Sequence, residues 1–157
     1  MTVPELLELA RAKGVMIATA ESCTGGMVAA ALTDVPGSSD VVERGFVTYS
    51  NNAKIDLLDI SPRTLKLHGA VSEEIAREMA DGALRNSEAQ LAVSVTGIAG
   101  PGGSETKPEG RVCFGLAMEG RETRTETVEF GAQGRDEVRR LARDHALELL
   151  ASALTDA

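Results

Sequence analysis

Val15-Met16-Ile17-Ala18-Thr19-Ala20-Glu21-Ser22-Cys23-Thr24-Gly25-Gly26 opens as an apolar run and closes in a turn. Val15 to Ala20 is apolar or small without strict alternation, the pattern of a strand covered on both faces. On its N-terminal side, Leu6, Leu7, Leu9, Ala10 and Ala12 cluster with helical spacing after Pro4, and Gly14 ends that helix. On its C-terminal side, Gly25, Gly26, Ala29, Ala30 and Ala31 are small enough for a helix lying close to a sheet, until Pro36-Gly37-Ser38-Ser39 breaks it. Strand, turn and helix in this order are the unit of an open α/β sheet, in which ligands collect at the C-terminal ends of strands.

The remaining segments extend the same pattern. Val41-Val42 and Gly45 to Tyr49 read as a second strand, and Ser50 caps a short helix through Ile55 and Leu58. Ser61-Pro62 starts another helix, closed near Gly69, with His68 in a loop. Ser72 caps a helix carrying Ile75, Ala76, Met79, Ala80 and Ala83, and Leu91 to Thr96 forms strand three. Strand four begins at Arg111, turns at Glu119-Gly120-Arg121, and pairs as a hairpin with a strand from Glu122 to Phe130. A final helix from about Gly134 gathers Val138, Leu141, Ala142, His145, Ala146 and Leu149 on one face. The expected fold is a single α/β domain over residues 1–157, a three-layer α/β/α sandwich with a mostly parallel sheet.

Composition narrows the function classes. With 16 Lys+Arg against 24 Asp+Glu the net charge is −8, which repels a nucleic-acid backbone, so no nucleic-acid partner is expected. No stretch approaches the roughly 20 apolar residues of a membrane span, and the N-terminus has no basic region followed by an apolar run. Cys23 and Cys113 match neither a zinc nor a redox spacing, which suits two buried thiols in the cytoplasm. Neither a metal nor a cofactor is expected, because no ligand cluster, phosphate loop or dinucleotide fingerprint is present. A homo-oligomer is the general expectation for such a chain.

Ser22 has two readings. It either N-caps the following helix or acts as a nucleophile next to backbone N–H groups that hold an oxyanion. A nucleophile needs a base, and neither His68 nor His145 has the context of a triad member. Lys54 is the remaining candidate: near a helix N-terminus and desolvated it becomes a neutral amine, whereas in solvent it is an ordinary surface lysine. Tyr49 either orients a proton or is a buried strand residue. Between Gly97 and Gly110 lie Gly100, Gly102, Gly103, Pro101 and Pro108, a long loop whose backbone can approach a ligand or simply flex. Arg135, Arg139 and Arg143 line one side of the last helix, as a phosphate-binding strip or a solvated face. Cys23 reads as a small buried hydrophobe rather than a nucleophile.

Together, Thr19 to Gly26, Gly45-Phe46-Val47-Thr48-Tyr49-Ser50-Asn51, Ala53-Lys54, Gly69-Ala70-Val71-Ser72 and Thr96 to Gly103 resemble the CinA C-terminal domain family in order and spacing. The resemblance covers nearly the whole chain and implies a mixed five-stranded sheet between helices. It also implies a nicotinamide-nucleotide amidase that converts nicotinamide mononucleotide to nicotinate mononucleotide and ammonia, in pyridine nucleotide recycling. By the same resemblance Ser22 matches the nucleophile and Lys54 its paired base. Tyr49, Thr96 and the loop from Gly100 through Gly102 to Gly103 match pocket positions, and the segment bearing Arg135 and Arg139 matches an arginine-bearing helix start.

Thr24, Gly25 and Gly97 join the expected substrate-binding positions, and Glu21 is assigned to face the positive charge of the pyridinium ring. Two departures from the family pattern bear on the phosphate end: Gly134 stands where relatives often carry an aspartate, and Glu109 where a small apolar residue is usual. Larger family members carry an additional N-terminal domain, so the chain resembles the stand-alone form. The alternative from a different class is a non-catalytic nucleotide-binding or regulatory domain linked to competence and DNA damage.

Overall fold

The first helix, α1 (Val3–Lys13), is bounded by its own sequence. Thr2 accepts from the Glu5 N–H while the Glu5 carboxylate accepts from the Thr2 N–H, and Gly14 closes the helix at φ 67°. β1 (Ile17–Glu21) follows, buried at all five positions, and then α2 (Met27–Thr33). A single 3-10 turn at Ser38–Asp40 leads into β2 (Val42–Val47). Three helices come next, α3 (Asn51–Leu58), α4 (Pro62–His68) and α5 (Glu73–Arg85). β3 (Leu91–Gly97), β4 (Arg111–Met118), β5 (Arg124–Glu129) and the long α6 (Arg135–Thr155) complete the order. The structure is a computed structural model and describes residues 1–156.

The five strands form one sheet in the order β2-β1-β3-β4-β5. β1 pairs in parallel with β2 and β3, so Glu21 lies opposite Val47 on one side and Val95 on the other. β3 with β4, and β4 with β5, are antiparallel, so β4 alone runs against the other four strands. The sheet is therefore mixed, mostly parallel in strand direction yet evenly divided in its pairings. The physical reason is the connection: Gly97 to Gly110 forms no helix, and without a crossover element the chain can only return antiparallel.

On one face Ile17, Val93, Val95 and Phe114 pack against Leu6 and Leu7 of α1, Val28 and Leu32 of α2, and Val138, Ala142 and Leu150 of α6. On the other face Ala18, Ala20 and Ala92 meet Ile75, Met79 and Ala83 of α5 and Leu58 of α3. That second face is built from small residues, which lets α5 lie close. A Cβ at Gly115 would stand 2.4 Å from the Ala76 carbonyl oxygen, and one at Gly82 would stand 2.2 Å from that of Leu58.

Three local expectations shift. β1 starts at Ile17 rather than Val15, β2 stops at Val47 so that Tyr49 lies beyond it at 63% exposure, and His68 ends α4 instead of occupying a loop. Among the described residues, no helix is long and apolar enough to cross a membrane.

Candidate active site

Ser22 is the first residue past β1, and its N–H donates to the Val95 carbonyl at 2.9 Å, carrying the β1–β3 ladder one step further. The chain then turns sharply, with the Gly25 N–H donating to the Ser22 carbonyl at 3.1 Å. Gly25 and Gly26 sit at φ 58° and 107°, left-handed conformations that a Cβ would strain.

The capping reading of Ser22 does not hold. Gly26 is the N-cap of α2, and the helix N–H groups are taken by Glu21. One Glu21 carboxylate oxygen accepts from Thr24 Oγ1 at 2.6 Å and from the Val28 N–H at 2.9 Å, and the other accepts from the Ala29 N–H at 3.0 Å. A carboxylate at a positive helix end is favourable, and here it is fully buried. This corrects the assignment of Glu21 to a ring charge, because both of its oxygens are engaged away from the cavity. Thr24 is likewise buried, with its hydroxyl held by Glu21, so it does not reach a ligand.

With its hydroxyl released from capping, Ser22 faces Lys54. Ser50 caps α3 through the Ala53 N–H at 3.0 Å, which places Lys54 in the first turn with its side chain directed inward and only 1% of the residue exposed. Lys54 Nζ lies 3.0 Å from Ser22 Oγ, 2.8 Å from the Thr48 carbonyl oxygen and 3.4 Å from that of Tyr49. A neutral amine has two N–H bonds and one lone pair. In that form the two carbonyls take the N–H bonds and the lone pair is available to the Ser22 hydroxyl, whereas the charged form donates to all three oxygens. Burial pushes the Lys54 pKa below the ordinary lysine value, and among the described residues no carboxylate pairs with it to pull it back. The neighbouring Cys23 thiol is pushed up to about 12 by burial, which keeps it protonated and inert beside the serine.

The pair opens into a cavity of about 280 Å³ whose walls include Tyr49, Asn51, Thr96, Gly97 and Arg135. Thr96 Oγ1 donates to the Ala70 carbonyl at 2.8 Å and so fixes the Ala70-Val71 wall. Arg135, at the start of α6, donates to the Gly100 carbonyl at 2.7 Å and to the Tyr49 hydroxyl at 3.0 Å. In a larger groove of about 600 Å³ between α1 and α6, the hydroxyls of Ser152 and Thr155 donate back to carbonyls of their own helix.

Other expected positions fall outside the cavity wall. Gly102 donates its N–H to a Glu109 carboxylate oxygen at 2.6 Å, and Gly103 packs where a Cβ would meet the Lys107 carbonyl oxygen at 2.4 Å. Their lack of side chains serves the fold of the loop itself, and Gly100 contributes its carbonyl rather than an N–H. Arg139 donates to the Cys23 and Thr24 carbonyls, with its guanidinium lying against Gly25, and it does not line the cavity. Neither His68 nor His145 lines the cavity, and His145 pairs with Glu126 while stacking on Phe114 at 4.6 Å.

The cavity wall also contains Asn51, Ala70, Val71 and Ala99, for which the sequence suggested no role although all four lie within the quoted motifs. The Thr48 carbonyl was also missed, because a side-chain pattern carries no signal for it.

An α/β/α sheet that presents a serine from its central parallel strands to a buried, unpaired lysine defines the class of protein. The chain belongs to the CinA C-terminal domain family, whose model matches residues 2–154. It is 49% identical to a nicotinamide-nucleotide amidohydrolase PncC of Escherichia coli strain K12, across 96% of this chain and 95% of that one. A CinA-like protein of Chlorobium phaeobacteroides is 58% identical over 78% of this chain. The chain spans only 30% of that relative and 37% of a putative competence-damage inducible protein of Symbiobacterium thermophilum. Among solved structures, the competence/damage inducible protein CihA of Agrobacterium tumefaciens superposes with a TM-score of 0.88 at 47% identity, covering 96% of each chain.

Proposed function

We propose that this chain is a nicotinamide-nucleotide amidase, hydrolysing the carboxamide of nicotinamide mononucleotide to nicotinate mononucleotide and ammonia in pyridine nucleotide recycling. The observation that carries it is the buried Lys54 amine 3.0 Å from Ser22 Oγ, without a carboxylate to hold its charge. Similarity to the nicotinamide-nucleotide amidohydrolase of Escherichia coli supports the substrate.

Lys54 Nζ accepts the Ser22 proton as Oγ bonds to the carboxamide carbon. The proton then passes to the amide nitrogen, the C–N bond breaks, and ammonia leaves an acyl ester on Ser22. Water attacks that ester with Lys54 taking its proton, and the proton returns to Oγ as the carboxylate product departs. The Cys23 N–H, the first backbone donor after Ser22, takes the role of oxyanion donor. Tyr49 and Arg135, joined at 3.0 Å and on the cavity wall, meet the 5′-phosphate end, with Arg135 turning from its protein partners to the anion. Thr96 and Gly97 line the ring end.

The free thiols of Cys23 and Cys113 favour a cytoplasmic location. Exposed Val47 on the open β2 edge favours association of copies.

Ammonia release from nicotinamide mononucleotide by the purified chain tests the reading. Turnover by wild type and none by Ser22→Ala is the expected result. Tight nucleotide binding without ammonia release would instead make the chain a regulatory binding domain.

A further inference from the structure

We infer that Arg139 is a positioning residue for the nucleophile: its guanidinium clamps the two peptide groups after Ser22 and thereby sets where Oγ and the Cys23 N–H stand. This rests on the reading of Ser22 as nucleophile.

Arg139 Nε donates to the Cys23 carbonyl at 3.0 Å and Nη2 to the Thr24 carbonyl at 3.4 Å, reaching across 116 and 115 positions of sequence. Gly25 suits this fit, since its φ of 58° favours a residue without a Cβ and a Cβ there would make a tight 3.2 Å contact with Nη2. A planar fork with fixed donor directions holds two consecutive carbonyls in a way that a single ammonium cannot. A peptide plane is rigid, so turning the Cys23 and Thr24 carbonyls toward α6 fixes the Thr24 and Gly25 N–H directions, and the Gly25 N–H in turn holds the Ser22 carbonyl, whose plane carries the Cys23 N–H. From the other side the Ser22 N–H is tied to β3. The nucleophile thus sits between two anchors, one from the sheet and one from α6. Arg135, one helical turn earlier, instead lines the cavity, so adjacent turns of one helix serve separate tasks.

A phosphate-binding Arg139 and a positioning Arg139 make opposite predictions. With nicotinamide mononucleotide and its riboside as substrates, Arg139→Gln should lower kcat on both by the same factor, roughly a hundredfold, with KM little changed. Arg139→Lys, which keeps the charge and one donor, should recover only part of the loss. An alkyl fluorophosphonate, whose fluoride leaves as Ser22 Oγ bonds to phosphorus, should label wild type at Ser22 quickly and Arg139→Gln slowly. If Arg139→Gln fails to fold, Arg139→Lys is read in its place. A rise in KM confined to the nucleotide would overturn the inference in favour of phosphate binding. Unchanged kcat and unchanged labelling would overturn it alone, with Ser22 still the nucleophile. Active wild type left unlabelled at Ser22 would overturn both.

Discussion

Lys54 is an amine kept from water without a compensating anion, and this decides how the site responds to pH. As the proposed base it works only when neutral. Its folded pKa is lowered by burial, so kcat/KM should rise with pH through that lowered value and level off above it. Stability has the same sign. Between the folded pKa and the ordinary lysine value the unfolded chain binds the extra proton, so raising pH across that window stabilises the fold, and below it the penalty stays constant. Lys54→Met should lower kcat by about 10²–10⁴-fold and remove this acid limb. Denaturant melts across the same pH range, wild type against Lys54→Met, check the stability half. Ser22→Ala should leave the fold intact because the serine caps nothing, so circular dichroism and melting should match wild type while ammonia release is lost.

At the scale of elements, the start of α2 shows what a sequence conceals. The strand–turn–helix from Ile17 to Thr33 was legible because burial on both faces erases alternation and because two glycines mark the turn. Which residue caps the helix was not legible. Position favours a serine, but Glu21 is long enough to fold back from the strand end and satisfy the Val28 and Ala29 N–H groups. Lys54 and Ser22 were legible as a motif, and the inward direction of the lysine was not, because it depends on how α3 docks beneath β1. Arg139 was misread for the same reason: four-residue spacing gives a shared helix face and says nothing of what that face meets. Glu21→Gln replaces one carboxylate oxygen with an amide that cannot accept, so it should destabilise the chain by roughly 1.5–3 kcal/mol, read from chemical denaturation. Catalytic efficiency should fall much less than stability, because Glu21 does not face the cavity.

In the whole molecule, fold class and strand count followed from periodicity, whereas the even division of pairings followed from a loop that forms no crossover. The closeness of α5 to the sheet is written in glycines that look unremarkable in sequence. Gly115→Ala would drive a methyl group toward the Ala76 carbonyl and push α5 off β4, so it should cost about 1–3 kcal/mol in thermal or denaturant unfolding. The shift should pass to the cavity through Val71 and Ala70, which lie just before α5.

The dependence of the site on α6 also has a consequence in time. A ribosome delivers Ser22, then Lys54, and only much later Arg135 and Arg139, which lie 86 and 116 positions from the partners they hold. Until α6 leaves the exit tunnel, Val93, Val95 and Phe114 have no cover from that side, and the turn after Ser22 lacks its clamp. Such far-separated contacts form late and slowly. The nascent chain therefore carries a sheet face covered only in part, by α1 and α2, and the turn after Ser22 gains its clamp only once α6 has followed.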